Sequence, residues 1–232
     1  ILENLVSSLN QPTVTKIADL PLDQEGYRFT IEGLVTSNTS GYDKDTAFFD
    51  CTYLQDETGG INLFPVSDVI QAGQRLRVTG YTSSYQGERQ LAVTKIWKLG
   101  ADTPVEPKVV TAAQVNDGSV LGQLITLKGY VTGIEMANGL IQTILVRDSE
   151  GKIARVFIDG YITTSQDVAN AAVGCEIEAT GLASYDNTFV LEDGTPMAPR
   201  IRTRDRADII CTAHTHAFGE WTVTTPATCT ED

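Results

Sequence analysis

The chain has 232 residues and a mass of 25.1 kDa, with 41% hydrophobic residues, enough for one large all-β domain or two small ones. A formal net charge of -13 and a sequence pI of about 4.5 oppose binding to a polyanion unless the basic residues cluster. No apolar run reaches the length of a membrane span, so no membrane insertion is expected, and four cysteines are too few for a disulfide-built scaffold of this size.

The opening ILENLVSSLNQP shows no signal peptide and reads as the interior of a longer protein, with any export signal expected upstream. Phe29, Ile31 and Val35 then alternate with Thr30, Glu32 and Thr36, the period of a half-buried strand. In GYDKDTAFFD, Asp43, Asp45 and Asp50 are the candidate ligands for a hard cation such as calcium. Lys44 and the lack of a spaced bidentate Glu favour a solvated loop instead, so no cofactor is expected. The next strand carries apolar residues at both parities, which leaves open whether Phe48 or Phe49 faces inward. YLQDETGGINLF, Tyr53 to Phe64, is a hairpin turned at Gly59 and Gly60. VSDVIQAG suggests a short helical or turn element. QRLRVTG alternates again, with Leu76 and Val78 inward and Arg75 and Arg77 outward, and RQLAVTKIWKL is a fifth strand.

After the proline-containing segment GADTPVEPK the pattern starts over. TVTKIADLPLDQEGYRFTIEGLVT lies over VVTAAQVNDGSVLGQLITLKGYVT, matching Thr15 to Thr111 and Gly33 to Gly129. The hairpin LVRDSEGKIARVF matches the first one with Asp148 over Asp56, and Gly174 and Gly181 fall over Gly73 and Gly80. Gaps fall in loops and matches in strands. Asp56 and Glu57, with Asp148 and Glu150, sit in hairpin turns and read as turn chemistry rather than as acid pairs. The longer YITTSQDVANAAVG predicts a helix between Phe157 and Val173. Strand-interior glycines mark bends. The fold class that follows is all-β: two tandem five-stranded OB-fold barrels, each with a short helix between strands three and four. An immunoglobulin-like sandwich needs about seven strands and no such helix. The expected domains are residues 1–99 with an N-terminal extension, a linker over 100–108, a second barrel over 109–211 and a tail over 212–232.

The segments TIEGLVTS, YLQDETGGINLFPV and GQRLRVTGYTSSYQGERQLAV resemble the OB-fold, nucleic-acid-binding-type modules of secreted bacterial proteins. LITLKGYVTG, LVRDSEGKIARVFIDGYITTSQDV and GCEIEATGLASYD are similar to the partner module that follows, and together the resemblance covers Pro12 to Cys211. Such modules accompany nucleases, nucleotidases and other phosphoesterases, which implies an extracellular or cell-surface location and neighbouring domains as partners. The end, CTAHTHAFGEWTVTTPATCTED, resembles the opening of a Cys-rich repeat of Gram-positive surface proteins, lacking its later cysteines.

Catalytic motifs are missing. His214 and His216, the only histidines, lie in the tail, and there is no HExxH, GxSxG or phosphate-cradling glycine loop, so the chain is not expected to be an enzyme. Cys51 and Cys175 lie in strands and read as buried free thiols; for Cys211 and Cys229 a disulfide or a metal stays open, as does zinc at Cys211, His214 and His216. OB folds bind oligonucleotides or oligosaccharides on strands two and three and the flanking loops. In the first copy that region offers Phe48, Tyr53, Asn62, Arg77, Tyr81, Tyr85 and Arg89 as candidate ligand-binding residues, aromatic groups beside cations as single-strand stacking requires. The second copy has Glu176 and Glu178 where the first has Arg75 and Arg77. Arg200, Arg202, Arg204 and Arg206 share a parity, either pairing with Glu176, Glu178 and other carboxylates across the sheet or tracking phosphate. Two functions remain: a monomeric, non-catalytic module that binds single-stranded nucleic acid for a catalytic domain elsewhere in the parent protein, or a structural spacer or glycan-binding module of a cell-surface protein.

Overall fold

The computed structural model describes residues 12–40, 48–160, 162 and 168–213. In the first half, β1 (Arg28–Val35), β3 (Thr52–Gln55), β4 (Gly60–Phe64), β6 (Gln74–Tyr85) and β7 (Glu88–Ala101) close a five-stranded barrel in the order β1-β3-β4-β7-β6. In the second, β9 (Leu124–Ala137), β10 (Leu140–Arg147), β11 (Ile153–Phe157), β13 (Pro199–Arg202) and β12 (Glu176–Tyr185) form the same ring, closed by β12 on β9. Strand β8 (Lys108–Val110) adds to β9, and β14 (Ile209–Thr212) adds to β12. The fold is two tandem OB barrels, as the repeated pattern predicts.

The helix expected in the first barrel is corrected. In the first barrel the connection from strand three to strand four carries β5 (Val69–Ile70), which pairs with β2 (Thr39–Ser40). Val69–Ile70 has too few helix-compatible neighbours before Gly73, and its β-branched pair finds a strand to join. In the second barrel the matching connection lies partly outside the described residues, and its described part holds turns. The one described α-helix, α1 (Ala112–Asn116), precedes the barrel and starts with a capping box of Thr111 and Gln114.

The duplicated residues do duplicated work. A Cβ on Gly33 would come within 2.5 Å of the Gln55 carbonyl oxygen, and one on Gly129 within 2.2 Å of that of Arg147. At both positions strand one coils to serve two neighbours, and only glycine admits the close backbone. Thr30 and Thr79 share a hydroxyl hydrogen bond of 2.6 Å, as Thr126 and Thr180 do at 2.7 Å. One cross-strand ion pair has swapped its signs: Glu32 meets Arg77 on β1–β6, and Lys128 meets Glu178 at 2.8 Å on β9–β12. The contrast of Arg77 with Glu178 is therefore one pair site in both orientations.

The hairpin aspartates anchor the lead-in segments. Asp56 accepts from the backbone N–H groups of Thr58 and Gly59, and Ile17 donates to it at 2.9 Å. Asp148 accepts from Glu150 and Lys152 and takes the Ala112 N–H at 2.7 Å, at the start of α1. Burial pushes the Asp56 carboxyl up, but the hydrogen bonds from Thr58, Ile17 and Gly59 outweigh it and hold the group below the usual carboxylate range.

The first barrel is filled by Ile31, Leu54, Leu63, Leu76, Val78 and Leu91. Phe48, Cys51 and Tyr53 instead pack in one cluster with the core of the second barrel, so the two units share apolar contacts. Gly60 and Gly122 touch at backbone distance across the junction, where a Cβ on Gly60 would lie 2.0 Å from the Gly122 carbonyl oxygen. Gln55 also accepts from the Leu124 N–H at 2.9 Å.

Two outcomes test this. Gly60→Ala should separate the barrels and split a single denaturation transition into two, whereas an unchanged single transition would contradict the docking. The depressed pKa of Asp56 means its contribution is present above the unfolded carboxylate pKa of about 4 and is lost as pH falls through the folded value. Asp56→Asn should accordingly flatten the acid limb of the stability profile below about pH 4 while lowering stability at pH 7.

Candidate ligand site in the cleft between the barrels

Strand periodicity sends alternate residues of β3, β4 and β7 outward from the first barrel: Cys51 and Tyr53 at β3, Asn62 and Phe64 on β4, Glu88 and Gln90 on β7. The pairings Tyr53 with Asn62 and Asn62 with Gln90 align them in one row. On the second barrel Val156 pairs with Ile201 facing the core, which turns Arg155, Phe157, Arg200 and Arg202 outward. These two outer faces meet and leave a cleft of about 450 Å³. Its walls include Phe49, Asn62, Phe64, Tyr85, Glu88 and Gln90 from the first barrel and Phe157, Asp159, Asp186, Arg200 and Arg202 from the second.

Glu88 ties the faces together. Its carboxylate accepts from the Tyr53 hydroxyl and, at 2.9 Å, from the Ser184 hydroxyl of the other barrel, with Arg200 Nη2 at 3.9 Å. Burial raises the Glu88 pKa, opposed by the charges of Arg202 and Arg200. Burial, then the negative charge of Glu88, raises that of Tyr53. Arg200 donates to Ser184 at 3.1 Å and to Asp186 at 3.2 Å, with its guanidinium 4.6 Å from the Phe157 ring centroid. Arg202 pairs with Asp159 at 2.7 Å, lies 4.3 Å from the Phe48 ring centroid and reaches Cys51 Sγ at 3.6 Å. Burial pushes the Cys51 thiol up, which argues against a reactive thiolate.

The sequence candidates separate. Phe48 and Tyr53 are fully buried, with ring centroids 5.8 Å apart, and serve the junction rather than a ligand. The parity left open is thereby decided: Phe48 is buried at the junction and Phe49 borders the cleft, and neither belongs to the first barrel's core cluster. Asn62 lies in the cleft, where its side-chain oxygen has no donor among the described residues. Tyr85 stands 66% exposed at the tip of the β6–β7 hairpin on the cleft rim, and Arg89 is exposed just after that tip. Tyr81 lies on a different face of the first barrel, opposite Arg28, and Arg77 is held there by Glu32. Asp50 borders the cleft, while Asp43 and Asp45 lie outside the described residues, as do His214, His216 and Cys229. No cluster of three metal-ligating side chains occurs among the described residues. Cys211 is buried in β14.

The arginine run also resolves. Arg204 pairs with Asp208 at 2.9 Å and donates to the Thr36 carbonyl of the first barrel, and Arg206 donates to the Ile141 carbonyl. Arg200, Arg202 and Arg204 thus pair with carboxylates, as the pairing reading expects, but with Asp186, Asp159 and Asp208; Glu176 and Glu178 bind Tyr130 and Lys128 instead. The residues that sequence reasoning missed are Phe64, Gln90, Glu88, Phe157 and Arg155. Their outward parity was readable from strand alternation, but the facing barrel was not. Glu88→Ala should cost about 3 kcal/mol, since it strands the Tyr53 and Ser184 hydroxyls without their shared acceptor and removes a negative charge near Arg200, while Glu88→Gln should cost clearly less. Urea denaturation of both variants checks this.

No family model matches the chain. It is 30% identical over 179 residues to the endonuclease YhcR of Bacillus subtilis (strain 168), an alignment covering 70% of this chain and 14% of that protein. The chain thus spans about one seventh of that relative's length. Among solved structures it is similar to a tetrameric p202 HIN2 (TM-score 0.35, 13% identity, 83% of this chain and 97% of that one). A p204 HINb domain gives a TM-score of 0.37 at 11% identity, over 78% of this chain and 95% of that one. A deletion mutant of the single-stranded DNA binding protein from Thermus aquaticus gives 0.24 at 12% identity, over 88% of this chain and all of that one. These structural likenesses are too distant to carry a functional argument.

Proposed function

We propose that the chain is a non-catalytic, monomeric binding module of a larger extracellular protein, and that its cleft holds single-stranded nucleic acid for a catalytic domain elsewhere in that protein. The observation that carries this is the outer-face cleft itself. Exposed Tyr85 and Phe64 offer stacking surfaces beside Asn62, whose oxygen has no donor among the described residues, and Gln90. Bases with π-faces and polar edges fit such walls. A relative named as an endonuclease, matched over a small part of its length, supports an accessory role beside nuclease chemistry. The walls also shape the mode of binding. Asp50, Glu88, Asp159 and Asp186 outnumber Arg200 and Arg202, so stacking rather than backbone attraction must supply the affinity.

The same acidic, hydrogen-bonding walls favour one second reading, a glycan-binding cleft, because sugars stack on aromatic rings without bringing phosphate charge. Titration of a fluorescent single-stranded oligonucleotide separates the two. Tyr85→Ala and Phe64→Ala should each weaken binding about tenfold, from about 1–3 kcal/mol per stacked base, while Tyr81→Ala should leave it unchanged. Binding indifferent to both cleft variants, or seen only with oligosaccharides, would defeat the nucleic-acid reading.

A further inference from the structure

Arg155 is fully buried, and none of its three guanidinium nitrogens has a hydrogen-bond partner among the described residues. Buried arginines are ordinarily hydrogen-bonded, and an orphan guanidinium points to a group that the fold itself does not supply. The surroundings are specific. The Phe189 ring centroid lies 3.6 Å from the guanidinium carbon, and the Phe157 ring, which also carries Arg200, lies 5.6 Å from it. Two carboxylates act on Arg155 through space, Asp186 and Glu135, and both are otherwise engaged. Asp186 accepts from Thr188 and Arg200, and Glu135 accepts from the Glu192 N–H. Arg200 and Arg202 each have a carboxylate in contact; Arg155 has none.

We propose that Arg155, with Arg200 beside it, is a binding site for a phosphate group, and that Phe189 covers it until the loop Asp186–Ala198 swings away. The cover is a surface loop. Residues 192–196 are exposed, and the loop is closed on itself by the N–H groups of Asp186, Leu191 and Met197 donating to the carbonyls of Ala198, Thr195 and Phe189 and by the Val190–Pro196 bridge. It can therefore move as a unit once the Glu192 N–H leaves Glu135. Its start is tied to the first barrel, since the Asn187 N–H donates to the Gln86 carbonyl at 2.9 Å, one residue from Tyr85. A ligand stacked on Tyr85 therefore sits next to the root of the cover. Opened, the site presents a planar fork of donors suited to phosphate oxygens. The inference deepens the nucleic-acid reading by placing a phosphate, but it rests on that reading only for the phosphate's source.

The test is thermal unfolding in inorganic phosphate against chloride at matched ionic strength, for the wild type, Arg155→Met, Arg155→Gln and Phe189→Ala. Phosphate should raise the wild-type Tm by a few degrees and that of Phe189→Ala by more, and should leave both Arg155 variants unmoved. Without phosphate, Arg155→Met should unfold at the same or a higher temperature than wild type, because it removes a buried charge that lacks a partner. A purely structural arginine predicts the reverse, a lowered Tm with the phosphate response intact, and that result would overturn the proposal. So would the absence of any phosphate response in both the wild type and Phe189→Ala. In a second arm, phosphate that competes with the oligonucleotide assigns the site to a phosphodiester, and phosphate that binds alongside it assigns a free phosphate. Either result upholds the site, whereas loss of oligonucleotide binding alone bears only on the broader function.

Discussion

Glu88 is a buried carboxylate at the start of one barrel's fifth strand that takes hydroxyl hydrogen bonds from both barrels and stands near a guanidinium of the second. Removing a charge from water costs several kcal/mol, and it is tolerated here because each carboxylate oxygen meets a hydroxyl donor fixed by strand geometry. That requirement sets the rest. Tyr53 must point out of its barrel to reach Glu88, so an aromatic on the outer face becomes core of the junction. Ser184 and Arg200 must stand on the facing sheet, which brings Phe157 and Arg202 with them. The backbone contact of Gly60 with Gly122 lets the sheets come close enough for those bonds to form.

The outcome is that two copies of one fold use the same face for each other. An OB barrel offers a ligand the outer surface of strands two and three. Here part of that surface on the first barrel is spent on docking, and what stays open is a cleft whose two walls come from different copies. The divergence is economical in residues. Elsewhere the copies keep their chemistry, including the threonine pair and the aspartate that ties down the lead-in segment, and even an ion pair survives with its charges exchanged.

Arg155 belongs to the same logic from the opposite side. Glu88, Arg200 and Arg202 each have a contact partner that restrains them, while Arg155 is covered by a ring on a surface loop. A fold selected for stability alone has little reason to keep such a group, because an apolar side chain of like shape would serve the packing better. Places where local rules are broken at a cost tend to be places of function.

What the sequence by itself determined was the duplication and its internal geometry. Alternation in Phe29, Ile31 and Val35, the strand glycines Gly33 and Gly129, and the turn aspartates Asp56 and Asp148 each report local sterics or local hydrogen bonds, and these depend on near neighbours in a strand or hairpin. The missing helix of the first barrel is the exception, since Val69 and Ile70 became a strand only because Thr39 and Ser40 lay within reach. The site was legible only in fragments. Asn62, Tyr85 and Arg89 could be named from composition, but Phe48 and Tyr53 read as ligand aromatics and proved to be junction core, and Arg77 was already paired. Strand parity says that a side chain points outward; it cannot say whether water, a ligand or another barrel lies there. Only the tertiary structure decided that, because the docking depends on complementarity between residues as far apart in the chain as Glu88 and Ser184, for which no local periodicity exists.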